Sequence, residues 1–127
     1  MKILLVLTTI SCIFTSCCKV PMPVAAISIN YPDISNSKIL KAVRTDRNNF
    51  SDIIDTISLG ELHSYNNYTA TIEFEDNPLN YIISVEDTHY TDTISEIMFE
   101  RDSKNKIRNF EYRFNGQKRT DVRLTIK

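Results

Sequence analysis

Tryptophan is absent from this 127-residue chain, glycine and histidine occur twice each, cysteine three times and proline four times. Two glycines cannot build most of the loops that cradle a phosphate or turn a nucleophilic serine outward. Neither G-x-S-x-G, a phosphate-binding glycine loop, C-x-x-C nor H-E-x-x-H occurs. With His63 and His89 as the whole imidazole supply, common hydrolytic and metal chemistry lacks its usual bases and ligands. An excess of charge is missing too. The 15 Lys+Arg stand against 16 Asp+Glu for a net charge of -1, which gives no long-range pull toward a polyanion, so nucleic acid is not an expected partner. The composition excludes a collagenous or low-complexity chain, and the length sets one folded domain as the ceiling.

Long apolar runs are also lacking, except at the N-terminus. Residues 1–16, MKILLVLTTISCIFTS, carry one cation at Lys2 and then an apolar run from Ile3 to Phe14 broken only by hydroxyl and thiol side chains. About a dozen residues fall short of the roughly 20 that a helix needs to cross a bilayer, and no stop-transfer stretch follows, so the pattern predicts a secretory signal. The run ends in Phe14-Thr15-Ser16-Cys17, a large apolar residue, two small residues and a cysteine.

This tetrapeptide resembles a bacterial lipobox, with Phe14 where leucine is usual. The resemblance covers about 20 residues. It implies that the Cys17 thiol receives a diacylglyceryl group, that the bond before Cys17 is cut, and that the new amino group is acylated. Cys18 as the acceptor would place Thr15-Ser16-Cys17 before it, a poorer fit to the large-small-small order. An ordinary secretory signal cut nearby is the plainer alternative. Two or more acyl chains hold a protein at a membrane where one does not. The expected organisation is therefore a signal peptide over 1–16, a lipidated Cys17 with a short Pro-bearing tether over 17–24, and a globular domain over 25–127. Processing would leave Cys17 and Cys18 as the cysteines, so no disulfide within the domain is expected. The absence of an acidic run after the anchor favours the outer membrane with the domain facing the periplasm.

From Ala25 onward apolar residues recur at every second position. In Tyr68-Thr-Ala-Thr-Ile-Glu-Phe-Glu75 one face is apolar and the other is Thr and Glu. The same period holds in Ile27/Ile29/Tyr31, Tyr81/Ile83/Val85, Phe110/Tyr112/Phe114 and Val122/Leu124/Ile126. Turn-forming pairs separate them, including Asn48-Asn49, Asn66-Asn67, Asn77-Pro78, Asp102-Ser103 and the hairpin signal Asn115-Gly116. Seven or eight strands at spacings of about 10 to 14 residues predict an all-β fold, an antiparallel β-sandwich or else a small β-barrel. Thr93-x-x-Glu96 has the form of a helix capping box, but its short length favours a strand. Ser51 to Leu62 leaves room for one helical turn. The size and strand spacing loosely resemble transthyretin-like and immunoglobulin-like sandwiches of bacterial lipoproteins, without the Cys...Trp...Cys framework of true immunoglobulin domains.

Chemistry-bearing residues concentrate in Glu86-Asp-Thr-His-Tyr-Thr-Asp92, where Asp87, His89 and Asp92 form the candidate binding loop. The spacing fits neither a calcium loop nor a zinc pair, and a polar loop between strands is polar for hydration alone. No metal, cofactor or catalytic residue is expected, and His63 is read as a solvated loop residue. The cations Arg101, Lys104, Lys106, Arg108, Arg113, Lys118, Arg119, Arg123 and Lys127 bias the last quarter, and alternation sends them to the wet face. The expectation is a lipid-anchored, non-enzymatic envelope protein that offers a sheet edge or loop end to an envelope protein or polymer. Two alternatives stay open: an inhibitor or immunity lipoprotein against a cell-wall hydrolase, and a metal-dependent binder or enzyme in which the His89 loop converges with His63.

Overall fold

The computed structural model describes residues 22–126. The signal, Cys17, Cys18 and most of the tether therefore lie outside the described residues. The strands are β1 (Ala25–Asn30), β2 (Lys38–Asp46), β3 (Asn49–Leu62), β4 (Thr69–Phe74), β5 (Asn80–Val85), β6 (Thr91–Arg101), β7 (Ile107–Phe114), β8 (Gln117–Arg119) and β9 (Arg123–Thr125). They form two sheets, a three-stranded one in the order β4-β1-β9 and a six-stranded one in the order β3-β2-β5-β6-β7-β8. This is an open sandwich. Both sheets keep free edges, so the barrel alternative does not apply.

The alternation dictates the packing. In β4, Ala70, Ile72 and Phe74 are buried while Thr71 and Glu73 are exposed. Ile27, Ile29 and Tyr31 fill the other half of that layer, and Leu40, Ala42, Tyr81, Ile83 and Ile94 meet them from the large sheet. An aromatic row reinforces the contact, running from Tyr81 through Phe74 to Phe110 and then Tyr112 with ring centres 5.5 to 6.1 Å apart. Cross-strand register carries the same inner face along the large sheet, with Ala42 opposite Ile83, Tyr81 opposite Ile94 and Ile94 opposite Phe114.

The Asn115-Gly116 signal yields the tight β7–β8 turn, with φ of 51° and 81° at its two residues. Thr93 to Glu96 and Ser51 to Leu62 are strand throughout. Burial of Ile94 and Ile97 against the other sheet outweighs the local capping pattern. One pairing departs from the antiparallel expectation, because β9 lies parallel to β1, with Ile29 opposite Leu124.

Two regions escape the cover of the small sheet. At one end, among the described residues β3 pairs only with β2, and its first six residues, Asn49 to Ile54, are all exposed. At the other, β8 and β9 are the free edges of their respective sheets, and a cleft opens between them.

Candidate functional site

The segment with the densest chemistry is split by the fold. Asp87 takes a left-handed backbone (φ 56°) in the β5–β6 turn, and its carboxylate lies 3.9 Å from Lys38 Nζ. His89 is exposed and stacks on Tyr90 with 4.8 Å between ring centres. Asp92 turns the opposite way. It sits on β6 opposite the fully buried Ile83, so its side chain belongs to the inner face, and the residue is 8% exposed. Asp87 and His89 are thus placed in the outer turn and Asp92 between the sheets. His63 is on another turn, where its Nδ1 accepts the Tyr65 N–H at 3.1 Å and its own N–H donates to Asn66 Oδ1 at 3.1 Å. It holds that turn together and is half-buried, rather than simply solvated. Among the described residues no group of three or more His, Cys, Asp or Glu side chains is arranged to hold a metal ion.

Asp92 is held by Asn115, the first residue of the hairpin turn. Asn115 donates its Nδ2 to Asp92 Oδ1 at 2.8 Å, accepts the Thr93 N–H on its Oδ1 at 2.8 Å and donates its own N–H to the Thr93 carbonyl at 2.9 Å. One carboxylate oxygen is thereby fixed. The other, Oδ2, is buried without a hydrogen-bond partner, and so is the Tyr31 hydroxyl. The phenol is pushed well above its ordinary pKa, first by burial and then by the negative charge of Asp92. The two groups feel one another, yet they are not bonded.

Asp92 also lines the cleft between the β8 and β9 edges, an open space of about 490 Å³ that includes Phe114, Asn115, Gln117, Arg119 and Thr125. Register explains the gathering. Phe114 lies opposite Gln117, and Tyr112 opposite Arg119, so these side chains share the inner face where β9 ends its cover. Arg119 is braced by Asp121 at 3.2 Å, whose carbonyl accepts the Tyr112 hydroxyl at 2.6 Å. The volume lies within the roughly 300–1,000 Å³ usual for small-ligand clefts. Sequence reasoning found Asp92 and missed its partners, since Gln117, Arg119 and Thr125 have no motif and Tyr31 reads as one more core residue. The Asn115-Gly116 signal marked the turn but not its contact with Asp92.

The basic bias of the last quarter is largely neutralised locally. Arg101 pairs with Asp76, Arg108 with Asp102, Arg113 with Glu96, Lys118 with Glu111 and Arg119 with Asp121. A second surface is more distinctive. The β3 edge exposes Phe50, Ile53 and Ile54, with Ile53 at 68%, and the following turn projects Tyr65 at 96%. No α-helix occurs among the described residues, and none is long and apolar enough to cross a membrane. Comparison with models of known families, with curated proteins and with solved structures finds no match.

Proposed function

We propose that the chain is a lipid-anchored, non-catalytic protein of the bacterial envelope that binds another envelope protein by adding a strand to the β3 edge. The observation that carries this reading is the edge itself. It runs for 14 residues, far longer than most strands, and contains neither proline, lysine nor arginine, the residues that usually blunt a free edge. Bulges at Leu40/Lys41 and near Thr45 and three carboxylates are the protection it carries. Its exposed apolar side chains at Phe50, Ile53 and Ile54 are interspersed with Asp52 and, further on, Glu61, while Asp55 is already engaged by Arg44 at 2.7 Å. A complementary partner strand is therefore apolar with lysine or arginine interspersed. The lipobox at Phe14-Thr15-Ser16-Cys17 supplies the membrane attachment through acyl chains, with the outer membrane facing the periplasm as the setting.

The test combines palmitate labelling with a photo-crosslinking residue placed at Asp52. Labelled palmitate enters the intact chain and is lost in Cys17→Ala. A crosslinked adduct forms from Asp52, is absent from a control position at Thr120, and disappears in Ile53→Lys/Ile54→Lys. An unlabelled chain that washes into the aqueous phase, or equal adducts from both positions, refutes the reading.

One observation favours the inhibitor alternative, with a change of loop. An inhibitor needs a rigid protrusion, and beside the exposed His89 turn the structure offers Tyr65, which is 96% exposed. Asn66 Nδ2 donates to the Glu61 carbonyl at 2.9 Å, Tyr68 N–H to the His63 carbonyl at 2.9 Å and Asn30 Nδ2 to the Asn67 carbonyl at 2.7 Å, so the aromatic ring stands on a fastened turn. Under that reading Tyr65→Ala abolishes inhibition of a cell-wall hydrolase while Ile53→Lys leaves it intact.

A further inference from the structure

The strand pairings sort the turns into two ends. The chain enters β1 at the end where β4 and β6 finish and β7 begins, so the β4–β5 and β6–β7 turns lie beside that entry. The turns bearing Tyr65, His89 and Asn115 lie at the opposite end. Arg101 ties the entering chain down. Its guanidinium donates to the Pro23 carbonyl at 2.8 Å, to the Asn105 carbonyl at 3.0 Å and to Asp76 Oδ1 at 2.7 Å. The segment ahead of β1 and these two turns are thereby fastened into one unit. The β6–β7 turn is braced from within as well, since Asp102 Oδ1 accepts the Lys104 and Lys106 N–H groups at 2.8 and 3.0 Å.

Charge differs between the two ends. At the β6–β7 tip, residues 103–106 are all exposed and contain Lys104 and Lys106 but no acid. Among the described residues neither ammonium enters an ion pair. The nearest carboxylates, Asp76 and Asp102, are already taken by Arg101 and Arg108. Met22 and Val24 stand about half exposed beside the clamp, and Glu73 and Glu75 line the same groove on the β4 side. The connecting segments of the opposite end, 31–37, 63–68, 86–90 and 115–116, contain neither lysine nor arginine and carry Asp33, Glu86 and Asp87. An anionic surface therefore attracts the tip of the first end and repels the second. We infer that the β6–β7 tip is a membrane-contact surface, with Lys104 and Lys106 against the headgroups of anionic phospholipid and the Tyr65 and His89 turns pointing away from the bilayer. This rests on the lipid anchor proposed above and adds an orientation to it. Met22 is five residues beyond Cys17, a reach of less than about 20 Å, so an acylated Cys17 keeps the clamped end close to the headgroups.

The experiment places the acylated, ¹⁵N-labelled full chain in nanodiscs that contain a headgroup spin-labelled lipid, made from phosphatidylcholine with or without phosphatidylglycerol. With phosphatidylglycerol, the amide signals of Lys104, Asn105 and Lys106 broaden while those of Asp87, His89 and Asn115 stay sharp. Each lysine is worth about fivefold in that preference. Lys104→Gln/Lys106→Gln, or omission of phosphatidylglycerol, therefore brings the two ends to similar broadening. The double exchange leaves the turn intact, because both residues brace it through backbone N–H groups. A chain that stays with the discs yet broadens equally at both ends, or more at Asp87 and Asn115, overturns the inference and leaves the anchor standing. A contrast that survives in the double variant also overturns it, because the tether alone would then set the orientation. A chain that leaves the discs overturns the anchor, and the inference falls with it.

Discussion

Replacing Asp92 by asparagine should stabilise the empty protein. The substitution keeps the shape of the side chain and removes the charge from a residue that is more than nine-tenths buried. Two opposing changes decide the sign. A buried, unsatisfied acceptor costs about 1–3 kcal/mol, and more when charged, so relieving Oδ2 returns an amount of that order. Against this, the 2.8 Å bond from Asn115 to Oδ1 loses its charge assistance, a loss of about 1 kcal/mol. The balance is a gain of about 1–2 kcal/mol, which for a domain of this size raises Tm by about 4–12 °C. Urea denaturation followed by circular dichroism, with thermal melts in parallel, measures both. Tyr31→Phe removes the other buried hydroxyl without a partner and should likewise not destabilise. A fall in stability of 1 kcal/mol or more in Asp92→Asn would refute the reasoning, since it would mean that Oδ2 has a partner and that the carboxylate is a structural tie.

Other outcomes follow from the same geometry. Ile29→Ala, at a site with no exposure and packed between the sheets, should cost about 2–5 kcal/mol in denaturant melts, whereas Ile53→Ala on the open edge should change stability by less than about 0.5 kcal/mol. Leu124→Ala should cost about 2–5 kcal/mol and increase hydrogen exchange at Ser28 and Asn30, whose amides face β9, because Leu124 anchors β9 beside β1. Asp102 accepts the N–H groups of Lys106 and Lys104 and the guanidinium of Arg108, which hold its carboxyl below the ordinary carboxylate range. Its contribution to stability is therefore complete above the unfolded value of about 4 and is lost as pH falls through the lowered folded value. A ¹³C-detected titration should show Asp102 protonating at lower pH than in an unfolded peptide, and Asp102→Asn should remove that part of the acid dependence.

The sheet character of the fold was legible because each strand buries one face, and a period of two is written directly into runs such as Ala70/Ile72/Phe74. Turns were legible for the same local reason, with Asn and Asp at left-handed positions such as Asn67, Asn105 and Asn115. The parallel pairing of β9 with β1 was not, because nothing in Val122 to Ile126 says which strand it will meet. The candidate site was half legible. Three polar residues close together in sequence suggested a common loop, but alternation sends neighbours to opposite faces, so Asp92 parted from Asp87 and His89 as soon as β6 began. The partners it gained came from β8 and from the residues around β9, separated in the chain and brought together by register alone.

The parallel contact of β1 with β9 also imposes an order on events. β1 is the first strand of the described residues, and the strand that seals its second edge lies at their far end. As the chain leaves the ribosome N-terminus first, β4 can join β1 early, but the opposite row of amides and carbonyls must wait until almost all the other described strands have emerged. During that interval β1 and β4 form an unfinished ribbon, open to chaperones or to a neighbouring copy. Closure of the last strand is thus both the end of folding and the moment at which that ribbon ceases to be available.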